Sequence, residues 1–403
     1  MRIVRTFGLW VFCAVLLAGC GGGDPDVPGS GSPAGAPTTK GTFTAVVSFG
    51  DSLSDVGTYA PATSLSGNGQ PPFFGGKFTT NETSTGAPDA DPLGKVWVED
   101  LAASLGIVVT PAEVGFDGAS VPCPIASAAP ALAGTCTAYG EGGARVTDPI
   151  GIGHNADGSG ALTVPVVQQI ANHLARFGSF KDTDLILVYA GSNDVLTQFE
   201  IFGNAATQIQ ADPTLSADQM NVQLFAAQQA AQAAVKQAAQ ELAIAIRTQI
   251  LANGGKYVAV MTLSDIAATP FGRSLSATAQ PVLTDLSRVF NLWLRDGLTG
   301  QPVRIIDTFP LFQDLATNAT QLGFVNTTTP ACDPTKIAAV TGGAVTDGSS
   351  LFCNATPGAP YNGLAAGADP NTWFFADGVH PTTGGHKAIS DAFAEQLRSF
   401  GWI

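Results

Sequence analysis

A short apolar run, Val46-Val47-Ser48-Phe49, closes abruptly on Gly50-Asp51-Ser52-Leu53-Ser54-Asp55. With Thr44 it reads as a strand over 44–49 that is apolar toward both faces, as strands in the middle of a parallel sheet are. Such a strand delivers Ser52 to its carboxyl end, where open α/β sheets hold their ligands. A second run, 183–189, repeats the device and ends in Ala190-Gly191-Ser192-Asn193-Asp194. Further strands are expected at 257–263 and 303–307. Helical periods fall at 95–105, 164–177, 277–298 and 383–400, and 216–252 reads as one long helix or as a helix broken near Met220. Strands alternating with helices predict a parallel sheet covered on both faces, a three-layer α/β/α sandwich of flavodoxin-like type.

The first residues do not belong to that rhythm. Arg2 and Arg5 precede an apolar stretch from Phe7 to Ala18, too short to span a bilayer and shaped like a secretory signal over 1–19. It ends in Leu17-Ala18-Gly19-Cys20, which resembles the lipobox of bacterial lipoproteins. The resemblance implies cleavage before Cys20, acylation of that cysteine and attachment to a membrane through the N-terminal lipid. Gly21 stands where aspartate would retain a lipoprotein at the inner membrane, so the outer membrane is implied. Residues 20–41, rich in Gly, Pro, Ser, Ala and Thr, form a flexible tether with too little apolar bulk to fold. The rest, 42–403, is expected to be one large domain with loop insertions near 65–91 and 313–373.

The chain is 45% hydrophobic and 12% charged, with a formal net charge of −14. That balance argues against nucleic acid as a partner and against an electrostatic grip on anionic lipid. Of the six cysteines, Cys13 leaves with the signal and Cys20 is assigned to the lipid. The remaining four, Cys123, Cys136, Cys332 and Cys353, allow three connectivities. Two local pairs, Cys123 with Cys136 and Cys332 with Cys353, are the economical choice in an oxidising compartment. Each would stabilise its loop by about 3 kcal/mol on the chain-entropy model. Neither pair has Cys-x-x-Cys spacing or a nearby histidine, so metal binding is the weaker reading.

A serine that attacks an acyl group needs a base, a group to orient the base, and donors aimed at the developing oxyanion. Asp377-Gly378-Val379-His380-Pro381 places a carboxylate three residues before a histidine, in a turn leading into the last helix. Together with the Gly-Asp-Ser turn, Gly191-Ser192-Asn193-Asp194 and Tyr139-Gly140-Glu141-Gly142-Gly143-Ala144-Arg145, it resembles the four ordered sequence blocks of the GDSL esterases, the SGNH hydrolase superfamily. The resemblance implies Ser52 as nucleophile, His380 as base and Asp377 as its orienting acid. It implies an oxyanion hole made by the Ser52 N–H, the Gly142 N–H and the Asn193 side chain. Gly142 aligns best and Gly143 next, and Glu141 stands where the family usually has a small or apolar residue. Asp55 is expected to support the nucleophile turn.

The spelling of the blocks resembles the bacterial secreted lipase and esterase branch. Carboxylic-ester hydrolysis without metal or cofactor is thus expected, on a small acyl ester, a lipid or a polymer ester. Acyl transfer through the same intermediate is the alternative within the enzymes, and a binding protein on a retired hydrolase scaffold is the alternative outside them. Gly50-Asp51-Ser52-Leu53-Ser54 lacks the second glycine of the Gly-x-Ser-x-Gly elbow, which argues against an α/β-hydrolase. No His-Glu-x-x-His cluster suggests a zinc enzyme. His173 and His386 fall in helical stretches and read as structural, and the surroundings of His154 do not spell a calcium loop.

Overall fold

The computed structural model describes residues 28, 33, 35–65, 76–82, 94–356 and 362–403. The expected signal, Cys13, Cys20, most of the tether and most of the 65–91 loop lie outside them.

Among the described residues eight strands form in chain order. These are β1 (Ala45–Gly50), β2 (Thr110–Pro111), β3 (Glu113–Phe116), β4 (Ala119–Pro122), β5 (Cys136–Ala138), β6 (Asp184–Tyr189), β7 (Tyr257–Met261) and β8 (Arg304–Ile306). Six make one parallel sheet in the order β2-β5-β1-β6-β7-β8, and β3 and β4 pair as a separate antiparallel hairpin. Without the two-residue edge strand β2 this is the 2-1-3-4-5 order of flavodoxin-like sheets, whose switch point falls beside the first strand. Here β1 and β6 flank that point in register from Ala45 with Asp184 to Gly50 with Tyr189. The turns at the ends of these two strands therefore emerge side by side.

Helices cover both faces, as the alternation predicts. Trp97–Ser104 and Thr383–Ser399 lie on one face, where Trp97 meets Phe393 edge to face at 4.9 Å and Tyr189 of β6 meets the same ring. Val166–Phe177, Ala217–Ala245 and Gln280–Gly297 pack on the other, with His173 against Phe49 of β1. Val46, Phe49, Leu185, Ile186, Val188 and Val258 are fully buried, which is why these strands are apolar on both sides.

Three features go beyond the sequence reading. The long helix is unbroken at Met220. It starts after Ser216, whose hydroxyl accepts from the Gln219 N–H while the Gln219 side chain returns to the Ser216 N–H, a reciprocal cap. It ends at Ala245 and passes through a wider turn over Ile246–Ile250 and a tighter one over Leu251–Asn253. A 20-residue helix, Ser192–Ala211, follows β6 where no helix is read from the sequence. The strands β2 to β5 are two to four residues long, too short to show a period.

Both local disulfides are present, Cys123–Cys136 and Cys332–Cys353. The first ties the end of the β3–β4 hairpin to β5. The second lies in a small separate core of Ala331, Ile337, Ala355, Leu364 and Ala376, within the stretch read as an insertion. Among the described residues no helix is long and apolar enough to cross a membrane.

Candidate active site

Ser52 leaves the carboxyl end of β1 in a single tight turn. Asp51 caps that turn by accepting from the Leu53 N–H, and the Ser54 N–H returns to the Asp51 carbonyl. Asp55 grips the chain on either side of the site: one carboxylate oxygen accepts from the Gly57 and Thr58 N–H groups, the other from the Gly142 N–H at 2.9 Å. The expected support of the nucleophile turn by Asp55 therefore extends to the glycine loop, 87 positions away in sequence. Burial raises the Asp55 pKa although three N–H donors pull it the other way. Burial likewise pushes Asp51 up to about 6, against the pull of the Leu53 N–H and His380.

The structure brings the Asp377–His380 turn to Ser52. His380 Nε2 lies 2.8 Å from Ser52 Oγ, and His380 Nδ1 lies 2.8 and 2.9 Å from the two Asp377 oxygens. Asp377 is 7% exposed and also accepts from the main-chain N–H groups of Ser350, Val379 and His380. Burial alone would raise its pKa. The imidazole of His380 and the hydrogen bonds from Ser350 and Val379 outweigh burial and hold the carboxyl well below the usual carboxylate range. An ionised Asp377 keeps the proton on Nδ1 and turns the Nε2 lone pair toward the serine.

Asn193 opens the helix after β6, buried, with its Nδ2 donating to the Ala144 carbonyl at 2.9 Å. A side-chain amide carries two N–H donors, so one remains for a ligand. Asp194 locks the same junction: it accepts from the Arg145 Nε at 3.2 Å and from the Val146 N–H at 3.0 Å. Burial pushes its pKa up to about 6 despite the guanidinium.

Gly142 reaches the site, but its N–H is spent on Asp55. The Gly143 N–H has no partner among the described residues, and neither has the Ser52 N–H. Gly143 adopts φ +80°, and an added Cβ would lie 2.0 Å from the Ile152 carbonyl oxygen. Both facts demand glycine there. Glu141, the unusual residue of this block, is buried, accepts from the Val164 N–H, and has its pKa raised well above normal by burial.

The remaining histidines stay apart from the serine. His386 Nδ1 accepts from the Trp97 N–H and its Nε2 donates to the Phe78 carbonyl, while His173 is enclosed by Phe180, Phe49 and Tyr139. His154 bonds the Ala161 carbonyl in an outer loop. Among the described residues no group of three or more His, Cys, Asp or Glu side chains is placed to hold a metal ion.

Phe78, Ser350 and the Arg145–Asp194 pair are parts of this arrangement that the sequence reading does not single out. Only the last carries a local sign, since Asp194 and Arg145 fall within recognised blocks.

Serine, imidazole and carboxylate in one hydrogen-bonded row, at the carboxyl edge of a parallel sheet, form the arrangement that serine hydrolases use for acyl chemistry. The chain belongs to the GDSL-like Lipase/Acylhydrolase family, whose model it matches over residues 46–393, and it is a serine ester hydrolase. A comparison with curated proteins returned no match.

Proposed function

We propose that this protein hydrolyses carboxylic esters through an acyl-enzyme on Ser52, with His380 as base and Asp377 as the acid that orients it. The observation that carries this reading is the unbroken row from Asp377 through His380 to Ser52 Oγ. Ser52 Oγ attacks the ester carbonyl carbon and its proton passes to His380 Nε2. The negative oxygen is held by the N–H groups of Ser52 and Gly143 and by Asn193 Nδ2; Gly142 acts one step back, anchored on Asp55. The carbon–oxygen bond to the alcohol then breaks, and the His380 proton goes to the leaving oxygen. Water adds to the acyl-enzyme by the same route, releasing the acid and restoring Ser52.

The test is a p-nitrophenyl alkylphosphonate, which mimics the charged intermediate. Intact protein should release one equivalent of nitrophenol and lose activity, and the adduct structure should show the phosphonyl oxygen about 3 Å from Gly143 N. Ser52→Ala should neither react nor hydrolyse p-nitrophenyl esters. Labelling at another residue would refute the assignment, and an oxygen bound to Gly142 N would return the donor role to that glycine.

The leader supports a lipid-anchored protein of the secreted lipase and esterase branch, attached through Cys20. Two disulfides suit the oxidising compartment this implies. Cys20→Ser should move the protein from the membrane fraction to the soluble fraction, and unchanged fractionation would exclude the anchor.

A further inference from the structure

Phe78 stands outside all four family blocks yet touches both working halves of the site. Its ring centroid lies 4.8 Å from that of the His380 imidazole, tilted by 38°. Its other edge rests on Gly142: a Cβ built on that glycine would fall 2.1 and 2.2 Å from two atoms of the Phe78 ring. A partly exposed aromatic face that spans the base and the glycine loop borders the volume an ester must occupy.

This face is held in place. The Phe78 carbonyl accepts from His386 Nε2 at 3.2 Å, and the preceding Lys77 ammonium bonds Glu99 at 2.6 Å with both side chains largely buried. Asn81 accepts from the Lys77 N–H and donates to the Thr79 and Ser350 carbonyls. Thr80 Oγ1 accepts from the Thr383 N–H at the start of the last helix. Residues 76–82 thus form a strap tied to the helices beneath and to the segment that supports Asp377. Its aromatic ring needs little ordering when substrate arrives.

Resting on the assignment of Ser52 and His380 above, we propose that Phe78 is the wall of the leaving-group subsite and selects esters of apolar, planar alcohols. The alcohol oxygen must collect its proton from His380 Nε2, so it departs on the imidazole side, which is the side the ring covers. The oxyanion is drawn toward Ser52, Gly143 and Asn193, and the acyl chain takes the remaining direction. An aromatic alcohol stacks on the ring, whereas methanol is too small to use it.

Phe78→Ala and Phe78→Leu test this in the otherwise intact enzyme, with methyl and 2-naphthyl acetate as one pair and a p-nitrophenyl series of rising acyl length as the other. Phe78→Ala should lower kcat/KM for 2-naphthyl acetate by about threefold to tenfold relative to methyl acetate. Phe78→Leu should fall between. The shape of the acyl-length profile should stay unchanged, because the leaving alcohol is constant across the p-nitrophenyl series. Partition of the acyl-enzyme toward added benzyl alcohol, relative to water, should fall by a similar factor. A changed acyl profile with unchanged alcohol preference would overturn the proposal and put Phe78 on the acyl side. An equal loss on both acetates would overturn it by making Phe78 a mere support for His380. Failure of the underlying assignment shows separately, as activity retained by Ser52→Ala in the Phe78 wild-type background.

Discussion

Ser52 and His380 meet at 2.8 Å, but unlike parts of the molecule hold them there. Ser52 follows an inner strand whose Val46, Val47 and Phe49 are at most 1% exposed, so its position is set by the larger of the two cores among the described residues. The Asp377–His380 turn rests on irregular chain. Its carboxylate takes an N–H from Ser350, three residues before Cys353, and the neighbouring core is a handful of residues around one disulfide. The contrast teaches that the position of Ser52 comes with the fold, whereas that of His380 depends on local staples. Losing the staple should therefore disturb catalysis before it disturbs the sheet.

The largest expected effects are at the row itself. His380→Ala should lower kcat by roughly 10⁵- to 10⁶-fold and Asp377→Asn by about 10⁴-fold, since an imidazole without its carboxylate still carries a basic nitrogen in a poorly held tautomer. Single-turnover ester cleavage measures both. The reverse order would mean that Asp377 is not the orienting acid.

The two disulfides compare the halves directly. Each double Cys→Ser variant should lose about 3 kcal/mol of stability on the loop-entropy model, read as a lower denaturation midpoint. Removing Cys332–Cys353 should also lower kcat at temperatures where the protein is still folded, because Ser350 and the Asn81 strap share that region. Removing Cys123–Cys136 should change kcat per folded molecule less, as this bridge holds the first residue of β5, at the end of that strand opposite the glycine loop. Equal kinetic effects would break the contrast.

The last effect is a pH dependence of stability from two buried histidines. Burial lowers the pKa of His173 to about 4 and of His386 to about 3. The unfolded chain binds those protons near the ordinary value of about 6.5, so the contribution of these two histidines to stability is complete above that pH and is lost as pH drops toward 4. Neither His173 ring nitrogen has a hydrogen-bond partner among the described residues, and Phe180 stacks on the ring at 4.5 Å. His173→Phe should flatten the slope of stability between pH 6.5 and 4 without changing the pH profile of hydrolysis. An unchanged slope in denaturant titrations would remove His173 from the account.

Much of this was legible in one dimension because the strands that carry the chemistry are buried on both faces. Apolar runs such as 44–49 and 183–189 stand out, and the small polar turns that end them mark where chemistry can reach solvent. The helix Ser192–Ala211 was not legible, since Gln198, Glu200, Gly203, Asn204 and Thr207 break its apolar period. The strands around Cys123 and Cys136 were too short to show alternation.

By itself, then, the order of residues determined the parallel α/β architecture and the residue types offered for the site. These depend on periodicity and on turn chemistry, which are local. Only the tertiary structure decided that the Gly142 N–H is engaged, because Asp55 reaches it across 87 positions. It likewise decided that Ser350 supports Asp377 and that Phe78 covers His380. Contacts between segments so far apart arise from how the chain closes on itself, and no local pattern encodes them.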